Sequence, residues 1–155
     1  MTGPQVQSAP GVPVVDASVL VDWLVPGIDS ELPTIQARRR LKEEGAVLLA
    51  PRLLLVEAAS ALMRGLRRRR WSGVEADRAF RALRRLPLHL VDDARYLDRA
   101  WELARRYDNH PVYDMVYVAV AERASTELIT ADQVLQQRLA HLPWVMGPAG
   151  PGSSD

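Results

Sequence analysis

The sequence predicts an α/β fold: a three-layer α/β/α sandwich with a central, mainly parallel sheet of four or five strands. Short apolar runs alternate with longer segments of helical pattern along the chain. That alternation is typical of parallel strands joined by helices that cover both faces of the sheet. The 155 residues suit one domain with a sizeable core, and the sequence contains no internal repeat.

Five short apolar runs are the strand candidates, because each is bounded by turn signals or charged residues. They lie at residues 12–15, 46–50, 88–91, 127–130 and 143–146. The last run is expected to form an edge strand.

Helical patterns fill the segments between these strands. They cover residues 17–25, 31–44, 53–70, 73–85, 92–107, 111–124 and 133–140. Residues that favour helix ends support several of the bounds: Gly45 closes the second helix, Ser72 caps the fourth and Pro111 opens the sixth. Asp29 or Ser30 is the expected cap of the second helix.

Residues 11–146 form the predicted domain, and both ends of the chain are predicted to be tails. Residues 1–10 lack the basic start and apolar middle of a signal peptide and are expected to be flexible. Residues 147–155 are rich in Gly, Pro and Ser and are expected to be disordered. No apolar run approaches the ~20 residues that span a bilayer, so we expect a cytoplasmic protein without membrane contact.

The composition excludes several kinds of chemistry. The chain has no cysteine, which excludes disulfides, thiolate nucleophiles and zinc sites with cysteine ligands. The net charge of +1 argues neither for nor against a nucleic-acid partner. Lys42 is the only lysine, so nearly all basic residues are arginines, which present a planar fork of donors.

Four acidic residues stand alone in apolar surroundings. Asp16 directly follows the first strand, and Asp132 follows the fourth. In a parallel sheet both acids therefore lie at the same edge, where ligand sites form. Glu57 and Asp114 are each the only charged residue in an apolar helical stretch.

Acids in such places need compensation, because an unpaired buried carboxylate costs several kcal/mol. For Asp132, capping of the following helix explains the acid as well as a functional role does. For Asp114, a stabilising position in the first turn of a helix does the same. Those explanations suit Asp16 and Glu57 less well, because their neighbours are apolar. Four converging acids without cationic partners need a metal or must be partly protonated. Hard divalent cations such as Mg²⁺ or Mn²⁺ are the natural solution.

The segments around these acids resemble, in order and spacing, the four motifs of PIN-domain ribonucleases, above all the VapC-type toxins of type II toxin–antitoxin systems. The similar segments are Val14–Val21, the Ala- and Leu-rich helix around Glu57, Tyr113–Glu122 and Leu128–Asp132. Their order and spacing agree with the family across roughly residues 12–146. One departure is Pro111, where many relatives carry Thr or Ser three residues before the acid, and Asn109 or His110 is expected to supply that cap.

The resemblance implies a PIN-like fold and a metal-dependent endoribonuclease that cleaves RNA phosphodiester bonds with activated water. The catalytic residues would be Asp16, Glu57, Asp114 and Asp132. Asp16 and Asp114 would be the principal ligands of Mg²⁺ or Mn²⁺, which lowers the pKa of water and offsets charge on the phosphate. Ser18 and Thr130 would orient the carboxylates. The resemblance also implies an RNA substrate, a cognate VapB-like antitoxin and a homodimer.

The densest basic stretch comprises Arg64, Arg67, Arg68, Arg69 and Arg70. It could hold RNA phosphates, with Trp71 stacking on a base. The alternative is a solvated helix end, where cations also interact well with the helix dipole. The three histidines lack metal-ligand spacing and are interpreted as structural.

Three other function classes fit the residues less well. A receiver-like signalling domain would need a lysine late in the sheet, and Lys42 comes too early. A haloacid-dehalogenase-type phosphatase would need a second acid two residues after the first, where Ser18 stands. A catalytically inactive PIN-fold module that binds RNA or protein would be expected to lack an acid, and it remains the alternative hypothesis.

Overall fold

Five short strands form one sheet in which every neighbouring pair is parallel, in the order β3-β2-β1-β4-β5. The computed structural model describes residues 12–150. Its strands are β1 (Val14–Val15), β2 (Leu48–Pro51), β3 (Leu88–Val91), β4 (Leu128–Ile129) and β5 (Val145–Met146). The predicted parallel α/β fold is confirmed, and β5 lies at an edge of the sheet as expected.

Seven α-helices and one 3₁₀ helix connect the strands. They are α1 (Ala17–Leu24), α2 (Pro33–Glu43), α3 (Leu53–Arg67), α4 (Gly73–Leu83), the 3₁₀ helix (Asp93–Tyr96), α5 (Leu97–Arg106), α6 (Val112–Ala124) and α7 (Gln133–Arg138). Helix α1 packs against α2 and α3, and α3 packs against α4. Helix α6 packs against α5 and against strands β1, β2 and β4.

The chain changes direction across the sheet between β1 and β4. It runs from β1 outward to β2 and β3, then returns to pair β4 with the free side of β1. Right-handed crossovers therefore place α1–α4 over one face of the sheet and α5–α7 over the other. The carboxyl ends of β1 and β4 border the crevice that such a reversal opens, which is the usual place for a site in an open parallel sheet.

The core explains why these segments adopt their structures. The residues of β1 and β4 are at most 1% exposed, as expected for strands covered on both faces. In α6 the whole run from residue 115 to residue 121 is buried, and a helix that is apolar on all sides is stable only inside a protein. This helix carries Asp114 at the margin of the core.

Several helix starts differ from the predictions for physical reasons. Helix α2 begins at Pro33, which suits a first turn because it has no N–H to satisfy. Asp29 instead accepts a hydrogen bond from the Glu31 N–H, and neither Asp29 nor Ser30 caps α2. Asp92 caps the 3₁₀ helix that precedes α5. Ser72 caps α4 as predicted, in a capping box with Glu75.

The predicted tails fall mostly outside the described residues. This holds for residues 1–10 and for residues 151–155 of the predicted C-terminal tail. Residues 147–150 form a turn in which the Gly150 N–H donates to the Gly147 carbonyl. Within residues 12–150, no helix combines the length and the apolar character needed to cross a bilayer.

The carboxyl end of α3 is fixed by a contact between Gly65 and Trp71. Helix α3 ends at Arg67 instead of the predicted Arg70, because Arg69 adopts a left-handed conformation with φ of 55°. The chain then turns back, and the Trp71 indole N–H donates to the Leu62 carbonyl at 3.0 Å. A Cβ atom at Gly65 would lie 1.8 Å from Trp71 Cζ2, so only glycine allows this packing.

We expect Gly65→Ala to lower the free energy of unfolding by about 1–3 kcal/mol, because overpacking must displace the indole. The better helix propensity of alanine, about 1 kcal/mol, offsets only part of this loss. Urea denaturation measures the effect. Gly73→Ala is the matched control, since a Cβ there meets no atom within 4 Å. Equal stability of the two variants would contradict the proposed packing constraint.

Candidate functional site

Asp16 lies at the carboxyl end of β1 and also caps helix α1. Its Oδ1 accepts hydrogen bonds from the Ser18 N–H at 3.0 Å and from the Ser18 hydroxyl. The sequence interpretation disfavoured a capping role for Asp16, and that interpretation was wrong: the helix begins directly after the strand. Burial raises the pKa of this carboxyl, and hydrogen bonds from Ser18 and Thr130 oppose the increase.

Asp132 lies beyond the neighbouring strand β4 and caps helix α7. Its Oδ1 accepts a hydrogen bond from the Leu135 N–H at 3.1 Å, which confirms the capping alternative for this residue. The Thr130 hydroxyl accepts from the Asp132 N–H at 3.1 Å. The Ser18 hydroxyl accepts from the Ala131 N–H at 3.0 Å, so it connects the loops after β1 and β4.

Glu57 lies in the second turn of α3, whose first N–H, that of Leu53, donates to Asp93 Oδ2 at 2.9 Å. Desolvation, followed by the charges of Asp114 and Asp16, raises the pKa of Glu57 to about 7. Its Oε1 and the hydroxyl of Tyr117 are buried without a hydrogen-bond partner of good geometry, although the two side chains are close enough for Tyr117 to oppose the increase in the pKa of Glu57. Burial and the adjacent charge of Glu57 raise the pKa of Tyr117.

Asp114 lies in the first turn of α6 and is hydrogen-bonded to a histidine. His110 Nε2 is 2.6 Å from Asp114 Oδ2, and His110 Nδ1 is 2.8 Å from Nη1 of Arg138. Desolvation raises the pKa of Asp114, although the hydrogen bond with His110 opposes the increase. The expected capping role of Asn109 or His110 was wrong, because α6 has no side-chain cap.

The four acids form one electrostatically coupled group. Glu57 experiences the charges of Asp114 and Asp16, and Asp114 experiences the charge of Asp132. Mutual repulsion and burial make the deprotonated forms costly, so the group favours a cation nearby. The four acids that the sequence singled out, from two strand ends and two helices, are thus linked through pairwise effects on the pKa values of Glu57 and Asp114.

We tested whether these residues fit a divalent cation. As they stand, no group of three or more acidic or histidine side chains within residues 12–150 is arranged to hold a metal ion. The donor set nevertheless suits Mg²⁺ or Mn²⁺, because such ions prefer carboxylate oxygens and Mg²⁺ commonly takes one or two of them together with several waters. The buried, unpartnered Glu57 Oε1 is a further acceptor that bound water would satisfy.

One basic side chain, that of Arg64, lies near enough to the acids to affect Glu57. Arg64 follows Glu57 by seven residues on α3, and its charge lowers the pKa of Glu57 against the larger effect of burial. Arg67 lies in the last turn of α3, and Arg68–Arg70 follow it, all of them exposed. Trp71 packs on Gly65 and is half-buried, so it does not present a free face for stacking on a base.

Sequence reasoning missed the side chains that support or border the acids. The spacing of Glu57 and Arg64 corresponds to about two helical turns and would have placed both on one face. His110 precedes Asp114 by four residues, which is a weaker signal because His110 lies outside the helix. Nothing in the sequence indicates the contact between His110 and Arg138, since 28 residues separate them.

Comparisons with known proteins agree with this fold. A family model described as the PIN domain matches residues 14–142. The chain is 35% identical over 119 residues to ribonuclease VapC9 of Mycobacterium tuberculosis and to VapC ribonuclease Mb0985 of Mycobacterium bovis, covering 77% of this chain and 84% of each relative.

Two solved structures share the fold. Pyrobaculum aerophilum PAE2754 superposes with a TM-score of 0.63 at 24% identity, over 88% of each chain. Mycobacterium tuberculosis VapC20, described as a sarcin-ricin loop cleaving toxin, gives a TM-score of 0.60 at 18% identity, over 90% of this chain and 99% of its own. The family model and the relatives that are 35% identical show that the chain belongs to the PIN-domain family and, within it, to the VapC group.

We expect Glu57 to make the metal-free protein less stable as pH rises. The unfolded chain releases this proton near the ordinary pKa of 4.5, whereas the folded protein holds it until about pH 7. Stability is therefore lost between these values, because the folded state binds more protons there. Glu57→Gln removes this pH dependence. The free energy of unfolding of the variant, relative to that of the parent protein, should therefore be higher above pH 7 than below pH 4.5.

Chemical denaturation in the presence of a chelator, repeated across pH, measures this difference. Glu43→Gln is the control, because Glu43 is exposed on α2. A pH-independent difference between Glu57→Gln and the parent protein would contradict the raised pKa.

Proposed function

We propose that this protein is a metal-dependent endoribonuclease that acts as the toxin of a VapBC-type toxin–antitoxin pair. The observation that carries the proposal is the group of four coupled acids at the β1/β4 crevice, in a chain of the VapC group. Relatives that share 35% of their residues over most of the chain are named ribonucleases. The alternative is a catalytically inactive PIN-fold module that binds RNA or protein.

Asp16 and Asp114 are the residues that would hold Mg²⁺ or Mn²⁺. Both carboxyl groups are buried enough for desolvation to raise their pKa, so a nearby cation would favour their charged forms. Each has one oxygen already engaged, by Ser18 and by His110 respectively. When bound, the cation would lower the pKa of water and offset negative charge that develops on the scissile phosphate.

Glu57 and Asp132 complete the acidic set. The unpartnered Oε1 of Glu57 can accept a hydrogen bond from the attacking water. Asp132 has one oxygen committed to the cap of α7. Ser18 and Thr130 join the loops that carry Asp16 and Asp132, and we assign them the role of orienting both carboxylates.

The exposed arginines at the end of α3 would bind the RNA backbone. A substrate phosphate must approach four acids that repel it, so positive charge next to the acids would aid its binding. Arg64 is the best placed, because its charge reaches Glu57. Arg67–Arg70 extend the same positive charge away from the acidic group along the surface.

The proposed partners follow from membership of the VapC group. We propose a VapB-like antitoxin that covers the acidic crevice, and a homodimer. Helix α3 presents an apolar surface that could serve either contact: Val56 is 69% exposed and Met63 is 60% exposed, seven residues apart on one face.

We predict that Asp16→Asn abolishes RNA cleavage while the fold persists. Asparagine keeps an oxygen that can accept the Ser18 N–H and cap α1, but it has no charge to hold a cation. We expect the cleavage rate to fall on the order of 100-fold or more. Such a loss exceeds that expected from mutating a residue that only orients a metal ligand. Cleavage of total RNA with Mg²⁺ or Mn²⁺, with and without chelator, measures the loss.

Asp77→Asn is the matched control for this prediction, because Asp77 is exposed on α4. Circular dichroism checks that both variants fold. Full activity of Asp16→Asn would refute the assigned role of Asp16. A parent protein that binds RNA but cleaves none with either metal would support the inactive-module alternative.

We predict that Arg64→Ala weakens RNA binding and makes it less sensitive to salt. Removing one phosphate contact should reduce the slope of log affinity against log salt by about 0.7 for single-stranded RNA. Filter binding in the Asp16→Asn background measures affinity without cleavage. Arg84→Ala at the end of α4 is the control, and an equal effect of both substitutions would contradict a specific role of Arg64.

A further inference from the structure

The hydrogen-bonded series of Arg138, His110 and Asp114 has a defined direction. A guanidinium group can only donate hydrogen bonds, so His110 Nδ1, which is 2.8 Å from Arg138 Nη1, must be the accepting nitrogen. The ring proton then lies on Nε2 and is donated to Asp114 Oδ2 at 2.6 Å. Arg138 thereby selects the tautomer of His110 that can hold Asp114.

The backbone holds the His110 side chain in this position. The two residues before it, Asp108 and Asn109, have left-handed φ values of 60° and 53°. Such conformations are costly for residues other than glycine, although Asp and Asn tolerate them best. The turn directs the His110 N–H to the carbonyls of Ala104 and Tyr107 at the end of α5.

His110 is enclosed on all sides. Its side chain is only 4% exposed, whereas that of Asp114 is 19% exposed. The ring therefore lies behind the carboxylate, and Asp114 faces the crevice. Asp114 Oδ1 makes no side-chain hydrogen bond within residues 12–150, which leaves it available on the open side.

We propose that His110, with its tautomer fixed by Arg138, is a positioning residue that holds Asp114 in one orientation for cation binding. This inference rests on the proposed metal-dependent function. A carboxylate with one oxygen fixed loses less conformational freedom when the other oxygen binds an ion, and ligating carboxylates are commonly held in this way. Arg138 is itself 3.9 Å from the exposed Asp108, so the turn and α7 are joined through it.

The test measures Mn²⁺ affinity by calorimetry without RNA. We expect His110→Ala to weaken Mn²⁺ binding by about 10- to 100-fold. His110→Gln should recover most of the affinity, because its amide N–H can occupy the place of Nε2. His89→Ala is the control for loss of a surface imidazole, since His89 is exposed on β3. Melting temperatures in chelator check that each variant folds.

A second measurement reads the hydrogen bonds directly. In metal-free protein, the ¹⁵N shifts of His110 should show a protonated Nε2 and an unprotonated Nδ1. Arg138→Met should introduce the other tautomer and weaken Mn²⁺ binding by a smaller factor than His110→Ala. The ¹⁵N measurement of the tautomer depends neither on activity nor on bound metal.

The outcomes separate this inference from the function on which it rests. Equal Mn²⁺ affinity of His110→Ala and the parent protein would overturn the positioning role, and so would tighter binding, since His110 would then compete with the ion. A proton on Nδ1 in the parent protein would overturn the role of Arg138. Failure of the parent protein itself to bind Mn²⁺ or Mg²⁺ would instead contradict the proposed metal dependence, whatever the ¹⁵N spectrum shows.

Discussion

The central physical constraint in this protein is the cost of keeping four carboxylates close together and partly out of water. For each aspartate, this cost is reduced by a hydrogen bond from a nearby donor. Oδ1 of Asp16 and of Asp132 accepts a backbone N–H at the start of a helix, and Oδ2 of Asp114 is paired with His110 Nε2. Helix dipoles add stabilisation of ~0.3–1 kcal/mol at each of these helix starts. Glu57 accepts no hydrogen bond from a backbone N–H or a histidine, and its pKa is raised to about 7 although the Tyr117 hydroxyl opposes the increase.

The architecture follows from the same requirement. At the reversal between β1 and β4 the connections of two neighbouring strands diverge, since the chain leaves β1 toward β2 and leaves β4 toward β5. Two helices can therefore start side by side, each with its own capping aspartate. Helices α3 and α6 then supply Glu57 and Asp114 from opposite faces of the sheet. The carboxylates lie near one another because the amino-terminal ends of these helices do.

The sequence predicted the fold well because the relevant signals are local. The strand at residues 88–91 and the start of α4 at Ser72 match the structure, since an apolar run and a capping box decide them over a few residues. Helix ends that depend on distant contacts were less predictable. The end of α3 moved because Trp71 packs back on Gly65, and sequence patterns do not encode that return.

In the candidate site, too, features set by local sequence were predictable and features set by distant contacts were not. The strand assignments alone predict that Asp16 and Asp132 lie at one sheet edge, and the parallel pairing of Val15 with Ile129 confirms it. The support behind the acids could not be predicted, because Arg138 reaches His110 across 28 residues through a left-handed turn. Tertiary hydrogen bonds of this kind have no periodicity to detect.

Capping and metal binding were treated as competing explanations of these acids, but the geometry makes them complementary. A cap uses one carboxylate oxygen and fixes the plane of the group, so the second oxygen points in a defined direction. An aspartate that already holds a helix start therefore needs less ordering to bind an ion than one on a free side chain. On this view the helix starts at Asp16 and Asp132 do not weaken the case for a site. They are the means by which short strands and ordinary capping chemistry orient carboxylates at a crevice.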